Sequence, residues 1–283
     1  IAGSLPSGVT LVSGTQSGDT SLVLRGTAAK VNEALAALRF FAGANQNSDP
    51  DPLSQDHFTR LTIASDDYSA YAGDFVYPTD TDYVDIRVTP VNDAPVASGS
   101  ATLASVAQND TDPSGASVSS LFSGNFSDSA DDVGYSTANT LHGVAVTANA
   151  ATAGQGKWQW KDGGSWTDIG TSLNGSGALF LSANALVRFL PSGSTPSSVG
   201  SLTARLVETA ATSLTSGDSV NVSTNGGSTR FSAATVALST SVDRVLPPIL
   251  LSLRTDSGSS GADKYTNVGT VDASSPESDC TAV

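Results

Sequence analysis

Residues 88–95 read Val88-Thr89-Pro90-Val91-Asn92-Asp93-Ala94-Pro95. Just before them, Val84 and Ile86 alternate with polar residues, which is typical of a strand with one solvent-facing side. Two oxygen-rich side chains and a second proline then follow, and proline punctuates structure because it has no backbone N–H. This order predicts a junction between two consecutive all-β units, at which Asn92 and Asp93 can supply oxygen ligands to a cation.

Composition limits the class of protein. A length of 283 residues is typical of about two domains. The chain is 39% apolar and only 14% charged, which argues against disorder and for packed cores. The formal net charge of −14 makes nucleic acid a poor partner, because phosphate binding requires a basic surface. We therefore expect an acidic, globular chain that attracts cations.

The cysteine and methionine content bears on the origin of the chain. Cys280 is the only cysteine, so no intrachain disulfide forms, whereas a small eukaryotic secreted domain would usually have several cysteines and a bacterial surface protein would not need them. Methionine is absent, so the numbering does not begin at an initiator, and we interpret the chain as a piece of a longer protein. No apolar run approaches the roughly 20 residues of a membrane helix.

Hydrophobic periodicity predicts one short helix among many strands. Val31, Ala34, Leu35 and Leu38 are spaced as one face of a helix, with Thr27 at its N-cap. Period-two alternation predicts strands at several places, among them Leu61/Ile63, Leu179/Leu181, Val187/Phe189, Leu202/Ala204/Leu206 and Val220/Val222. Two glycine-rich turns, Asp162-Gly163-Gly164-Ser165 and Asn225-Gly226-Gly227, predict hairpins.

The same pass along the chain predicts three regions. Residues 1–93 form a first β unit, and residues 94–245 form a second, longer one. Residues 246–283 begin with Pro247-Pro248 and hold one strand pattern before Ser, Gly and Asp dominate, so we expect a linker and the start of another repeat. The predicted fold class is all-β, as tandem Greek-key sandwiches with one short helix in the first unit.

Several runs of residues carry a resemblance to a known family. In the first region they are Gly26-Thr27 through Leu38-Arg39-Phe40, Leu61-Thr62-Ile63-Ala64-Ser65-Asp66 and residues 88–95. In the second they are Leu121-Phe122-Ser123-Gly124-Asn125-Phe126-Ser127-Asp128, the Gly156-Lys157-Trp158 and Gly164-Ser165-Trp166 pair, and Arg188-Phe189-Leu190-Pro191. These runs resemble bacterial cadherin-like repeats, which stand in tandem in very large secreted adhesins and biofilm proteins. The tail from Leu253 resembles the opening of a bacterial Ig-like repeat.

The resemblance implies a non-catalytic extender region of an adhesin, secreted to the bacterial cell surface, with neighbouring repeats as its partners. It also implies that the first and last repeats are cut within their domains. Either the chain is a fragment, which we favour, or neighbouring subunits complete the sheets by strand addition and assemble a fibre or sheath. A third hypothesis is a module that binds glycans or surfaces.

By the same resemblance, calcium ligands collect at the ends of the domains. The candidates at the first junction are Asp66, Asp67, Asn92, Asp93, Asp128, Asp131 and Asp132. Near the second junction they are Glu208, at the family's acidic position after a strand, and Asp243. Gln108-Asn109 stand where relatives carry Glu-Asp, so Asp110 and Asp112 would have to compensate. The alternative interpretation is that these residues solvate loops and start turns.

The aromatic and nucleophilic residues give little support for a glycan-binding or catalytic function. Trp158, Trp160 and Trp166 can form a platform for sugar rings, although core and hairpin packing is the favoured interpretation. His57 and His142 are the only histidines, and no nucleophile elbow or phosphate-binding loop precedes a helix, so we do not expect an enzyme. Four Asn-x-Ser/Thr sequons, at Asn109, Asn125, Asn174 and Asn221, are expected by chance in so Ser/Thr-rich a chain.

Overall fold

The structure is a computed structural model, and it describes residues 4–15, 18–48, 59–66, 80–196, 198–209 and 213–246. These residues are mostly strands with two short helices, so the prediction of a largely β protein is confirmed. Asp67, His57 and the predicted third region from residue 247 onward lie outside the described residues. Among the described residues, neither helix has the length and apolar character needed to cross a bilayer.

The chain divides into two compact units. Unit 1 comprises Ile1–Val91 together with Asp132–Thr137, and unit 2 comprises Asn92–Asp131 together with Ala138–Val283. The buried apolar residues of the described chain lie almost entirely in unit 2, and Ala34 is the exception. Unit 2 therefore holds the main core.

Unit 1 contains two antiparallel strand pairs and one helix. Its elements are β1 (Thr10–Ser13), β2 (Val23–Arg25), α1 (Ala28–Ala36), β3 (Thr59–Ser65) and β4 (Asp80–Ile86), with β1 paired to β2 and β3 to β4. The helix predicted from Val31, Ala34 and Leu35 is confirmed, and Ala34 is its fully buried residue. Thr27 occupies the N-cap position as predicted, but its side chain makes no capping hydrogen bond.

Unit 2 begins with short strands and continues with longer ones. Its first elements are β5 (Val96–Ala97), β6 (Ala101–Thr102), β7 (Val106–Ala107), β8 (Ala116–Ser117), α2 (Val118–Phe122), a 3-10 turn (Ser123–Asn125) and β9 (Phe126–Ser127). The later ones are β10 (Leu141–Asn149), β11 (Gly156–Lys161), β12 (Thr167–Asp168), β13 (Ala178–Ser182), β14 (Leu186–Pro191), β15 (Leu202–Glu208), β16 (Ser219–Val220), β17 (Val236–Ser239) and β18 (Val242–Asp243). The strands predicted at Leu179/Leu181, Val187/Phe189 and Leu202 to Leu206 are thereby confirmed as β13, β14 and β15.

Two larger sheets share one hydrophobic core. The first has the strand order β16-β13-β10-β15-β17-β6, and the second has the order β12-β11-β14-β8. Trp158 and Phe189 from the second sheet belong to the same buried cluster as Val144 and Leu206 from the first. Trp158 packs edge-on against Phe189, with 5.3 Å between ring centroids. This cluster, drawn from both sheets, fixes them as one body.

The six-stranded sheet is also covered on its other side. Ala145, Phe180 and Val207 point away from the shared core and form a second buried cluster with Val222. Leu214, Val220 and Phe231, which all lie between β15 and β17 in the chain, pack against that cluster. Both sides of β10 and β13 are therefore apolar, which explains why β10 reads as a continuous apolar run between Val144 and Val146.

Two early strands of unit 2, β6 and β7, run side by side with β17 and β18 in the same direction. Ala101 pairs with Leu238 and Val106 with Val242, both in parallel register. Backbone N–H groups of Leu103 and Gln108 donate to the carbonyls of Ser239 and Asp243 at 2.9 Å each. Because both segments advance together, the chain enters unit 2 at one end and leaves β18 at the opposite end.

Two details of the sequence-based prediction are wrong. The hairpin expected at Asn225-Gly226-Gly227 does not join neighbouring strands, because β16 pairs with β13 whereas β17 pairs with β15. The first unit does not hold the only helix, because α2 forms in unit 2. Ser117 caps α2 by accepting a hydrogen bond from the Ser120 N–H at 3.1 Å. The hairpin predicted at Asp162–Ser165 is confirmed by the pairing of β11 with β12.

Candidate functional site

Three carboxylates converge inside unit 2. Asp128 directly follows β9, Asp131 lies in the turn after it, and Glu208 is the last residue of β15. All three are buried, with exposed fractions of 4%, 8% and 0% respectively. One ligand oxygen from each lies within 4.8 Å of the others. We call these three residues the acidic triad.

Local folding explains why these residues meet. The N–H of Asp131 donates to the carbonyl of Asp128 at 3.2 Å, so the turn brings both side chains to one place. Glu208 is held at the end of β15, where its own N–H donates to the Arg230 carbonyl at 3.2 Å. The chain enters unit 2 beside them, since the Asp93 N–H donates to Asp131 Oδ1 at 2.9 Å.

Two asparagines connect the triad to the entering chain. Asn92 Nδ2 donates to Glu208 Oε1 at 2.6 Å, and the Asn139 N–H donates to Asp128 Oδ2 at 2.5 Å. The side chains of the two asparagines also meet, because Asn139 Nδ2 donates to Asn92 Oδ1 at 3.3 Å. These contacts orient one oxygen of Glu208 and one of Asp128.

The remaining oxygen of each of those two carboxylates accepts no hydrogen bond while both groups are ionised, although a protonated Glu208 can donate one to Asp128. Asp128 Oδ1 and Glu208 Oε2 are buried and receive no donor from the described residues. A buried carboxylate oxygen without a partner is costly, because it loses hydration without compensation. Two such atoms in one cluster of negative groups indicate that a proton or a cation belongs there.

The electrostatics favour the same conclusion. Burial raises the pKa of Glu208 to about 7, and the negative charges of Asp128 and Asp131 act in the same direction, whereas the hydrogen bond from Asn92 opposes them. Burial also raises the pKa of Asp128, against the stabilising hydrogen bond from the Asn139 N–H. The folded chain therefore opposes full ionisation of the triad until a positive charge enters it.

The chemistry of the donors fits a hard divalent cation. Carboxylate and amide oxygens are the ligands that Ca²⁺ prefers, and neither sulfur nor imidazole takes part. Among the described residues, the triad is the only group of three or more His, Cys, Asp or Glu with ligand atoms this close together. Asp128, Asp131 and Glu208 are thus the residues able to hold a metal in this part of the chain.

The structure brings together the side chains of four predicted ligands, Asn92, Asp128, Asp131 and Glu208, and the backbone N–H of a fifth, Asp93. Glu208 was expected near the second junction, but it lies where the chain enters unit 2, because β15 runs antiparallel to β17 and continues to Glu208 beyond Ala204, which pairs with the start of β17. Asp243 lies at the opposite end and accepts a hydrogen bond from Ser105 Oγ.

The other candidates have different surroundings. Asp66 and Asp132 are exposed and belong to unit 1, and Asp67 lies outside the described residues. Asn139 was missed by sequence reasoning, since nothing distinguishes it from other polar residues before a strand. Its place four residues before the buried run of β10 was the only signal.

The proposed compensating acids are engaged elsewhere. Asp112 Oδ1 pairs with Arg188 Nη1 at 2.6 Å, and Asp110 Oδ1 accepts the Asp112 N–H at 3.0 Å. Arg188 is itself buried and also donates to Gln159 Oε1 and to the Pro113 carbonyl, both at 2.9 Å. The segment that carries Asp110 and Asp112 is therefore attached to the four-stranded sheet by Arg188.

The tryptophans serve packing. Trp158 is fully buried and donates its indole N–H to the Gly200 carbonyl at 2.7 Å, so it cannot contact a sugar. Trp160 is half-buried against the shared core. Trp166 is half-buried, with the guanidinium of Arg188 at 4.0 Å and the ammonium of Lys161 at 4.6 Å from its ring centroid. These surroundings agree with packing, the favoured interpretation, and Trp160 and Trp166 are only partly exposed.

His142, the histidine that the structure describes, stacks on Phe180 with 5.2 Å between ring centroids.

No protein-family model, curated protein or solved structure matches this chain. The acidic triad and the course of the chain through unit 2 therefore carry the functional argument.

Proposed function

We propose that the chain is a non-catalytic structural region of a bacterial cell-surface adhesin, built from cadherin-like Greek-key β-sandwich repeats that calcium stiffens. The observation that carries the proposal is the parallel pairing of β6 with β17 and of β7 with β18. A module in a tandem array must receive the chain at one end and release it at the other. A module whose ends meet on one side suits insertion into a larger domain instead.

Calcium is the cation that the proposal assigns to the acidic triad. Asp128, Asp131 and Glu208 would hold it, and Asn92 and Asp93 contact the same carboxylates from the entering chain. A bound cation neutralises the mutual repulsion of the triad and satisfies Asp128 Oδ1 and Glu208 Oε2. The incoming backbone, the turn after β9 and the end of β15 then become one rigid assembly.

Calcium titration of the melting temperature tests the assignment. A ligand that binds only the folded state stabilises it by about 2.7 kcal/mol at a hundredfold excess over Kd. We expect chelation to lower the melting temperature and calcium to restore it. Glu208→Gln and Asp128→Asn should abolish the response, whereas the matched control Asp132→Asn, an exposed acid in the same stretch, should retain it.

The melting temperature of Glu208→Gln without calcium gives a second test, because the expected change there has the opposite sign to the change with calcium. Glu208→Gln removes a buried negative charge from a repelling cluster, so without calcium the variant should melt at or above the temperature of the unmodified chain. With saturating calcium, the variant should melt at a lower temperature than the unmodified chain. A melting temperature that ignores calcium, or that responds equally in Asp128→Asn and Asp132→Asn, would refute the triad as the site.

The structural role has its own test. Small-angle scattering of the whole chain, with calcium and with chelator, measures the maximum dimension and the spread of conformations. We expect the calcium-bound chain to give a narrower distribution of dimensions. An identical distribution in both buffers argues against stiffening, even if calcium binds.

A second candidate, assembly by strand addition, has one observation in its favour. Within the described part of unit 1, each strand has a single partner, and Tyr83 and Val84 of β4 expose 59% and 48% of their surface. Exposed apolar residues beside open strand edges favour pairing with another chain. Light scattering of the purified chain decides: concentration-dependent growth supports this candidate, and a strict monomer rejects it.

A further inference from the structure

The chain contains two Asn-Gly pairs, Asn174-Gly175 and Asn225-Gly226. In this dipeptide the backbone nitrogen of glycine can attack the side-chain carbonyl carbon of asparagine, because glycine has no Cβ to obstruct the approach. In a folded protein, the hydrogen bonds of that nitrogen and of that amide decide whether the attack proceeds. The two pairs differ in both respects.

Asn174 lies in the exposed turn between β12 and β13 with its amide oxygen surrounded by donors. Oδ1 accepts the Ser176 N–H at 2.9 Å, the Ser176 hydroxyl at 2.7 Å and the Gly177 N–H at 3.1 Å. Three donors at one atom identify it as the oxygen of the amide. These bonds fold the side chain back over the backbone that follows, while the Gly175 N–H donates to none of the described residues.

Asn225 has the reverse arrangement. Its Nδ2 donates to the carbonyls of Val222 and Ser223 at 3.0 and 3.2 Å, and the Gly226 N–H donates to the Phe231 carbonyl at 2.9 Å. Attack at this site would break the Gly226 hydrogen bond and both bonds of the leaving nitrogen. The fold therefore protects Asn225.

We propose that Asn174 is a site of spontaneous deamidation in the folded chain. The Gly175 nitrogen attacks Cγ of Asn174 and loses its proton to solvent, and the negative charge develops on Oδ1, where the three donors stabilise it in the manner of an oxyanion hole. The bond from Cγ to Nδ2 then breaks, and ammonia leaves with a proton from water. Water opens the resulting five-membered imide at either carbonyl, which gives aspartate or isoaspartate at position 174.

The modification has a structural consequence. It adds one negative charge, and the isoaspartate product lengthens the main chain of the turn by one carbon. The Gly175 carbonyl accepts the N–H of Val222 at 2.7 Å, and Val222 is a fully buried member of the second cluster. Deamidation at Asn174 should therefore loosen the packing of the second buried cluster against β10 and β13. This inference is independent of the proposed function.

Peptide mass spectrometry of the intact chain after incubation in mildly alkaline heavy-oxygen water tests the proposal. We expect oxygen from the solvent to enter at position 174, whereas Asn225 should react at least about tenfold more slowly. Incubation in denaturant is the reference, because without the fold both Asn-Gly pairs should react at similar rates.

Two variants separate the contributions of the nitrogen and of the donors. Gly175→Ala should suppress the reaction without disturbing the turn, since an added Cβ would meet its nearest neighbour, Ser223 Oγ, at an ordinary 3.6 Å. Ser176→Ala removes one donor and should slow the reaction. Equal rates at Asn174 and Asn225 in the folded chain, or an unchanged rate in Gly175→Ala, would overturn the proposal.

Discussion

Glu208 should make the stability of the protein depend on pH when no cation occupies the acidic triad. Its pKa is raised from 4.5 to about 7, so between these values the folded state holds a proton that the unfolded state has released. The resulting stability is complete below pH 4.5 and is lost as pH rises through about 7, and the loss is on the order of 3 kcal/mol. Urea unfolding in chelator should give a lower free energy at about pH 7.5 than at about pH 5.

Glu208→Gln is the control for this dependence, because an amide does not titrate. The variant should show a much flatter profile over the same range, with the raised pKa of Asp128 contributing what slope remains. Asp85, Asp162 and Asp168 have lowered pKa values and titrate below this window. A free energy of unfolding that stays constant or rises toward neutral pH would contradict the raised pKa of Glu208.

Arg188 should stabilise the fold through its hydrogen bonds to neutral groups more than through its ion pair. Arg188→Met strands the buried Gln159 Oε1 and the Pro113 carbonyl, and we expect a loss of about 2–3 kcal/mol. Asp112→Asn removes only the charge of a carboxylate that is 84% exposed, so its cost should stay below about 1 kcal/mol. Denaturant unfolding of both variants compares them, and equal losses would contradict this ranking.

The sequence shows which residues could act as ligands better than it shows which of them meet in the folded chain. Asp128, Asp131 and Glu208 could be named as candidates because hard cations prefer carboxylate oxygens and because the resemblance to cadherin-like repeats implies such ligands at the ends of domains. Their convergence could not be predicted, since Glu208 is 77 positions beyond Asp131 and meets it only because β15 ends beside the entering chain. Asn139 was missed because a backbone donor leaves no mark in a sequence.

The doubly covered β13 is the element whose behaviour departs most from the pattern of its sequence. Alternation reveals Leu179 and Leu181, but Phe180 between them is also fully buried, on the other side of the sheet. Phe180→Ala should therefore cost about 3–5 kcal/mol in denaturant unfolding, as in an ordinary core. Ala237→Ser, on an exposed position of β17, should be nearly neutral. A loss below about 1 kcal/mol for Phe180→Ala would show that the second cluster is not a true core.

Element prediction succeeded where local pattern and tertiary environment agree. The turn at Asp162–Ser165 joins strands that do pair, because β11 and β12 are adjacent in both sequence and sheet. The turn at Asn225 is equally strong as a local signal, but the strands on its two sides pair at distant places in the sheet. The residues of a turn specify that the chain reverses direction, but they do not specify which strands pair with each other.

Considered as a whole molecule, the chain should contain one part that folds by itself. Both buried clusters consist of residues from unit 2, so residues 92–246 should unfold in a single cooperative transition with the calcium response of the full chain. Circular dichroism and urea titration of that segment measure this. A broad, non-cooperative transition, or loss of the calcium response, would mean that residues outside 92–246 complete the core or the triad.

The side-by-side course of β6 with β17 and of β7 with β18 also determines how unit 2 bears a mechanical load. Tension applied through the two ends of the unit pulls these neighbouring segments in opposite directions along their length. The hydrogen bonds from Leu103, Val106 and Gln108 then resist in shear and must break together instead of opening one after another as in a zipper. We therefore expect unit 2 to resist tension along the chain better than a unit whose terminal strands separate one hydrogen bond at a time.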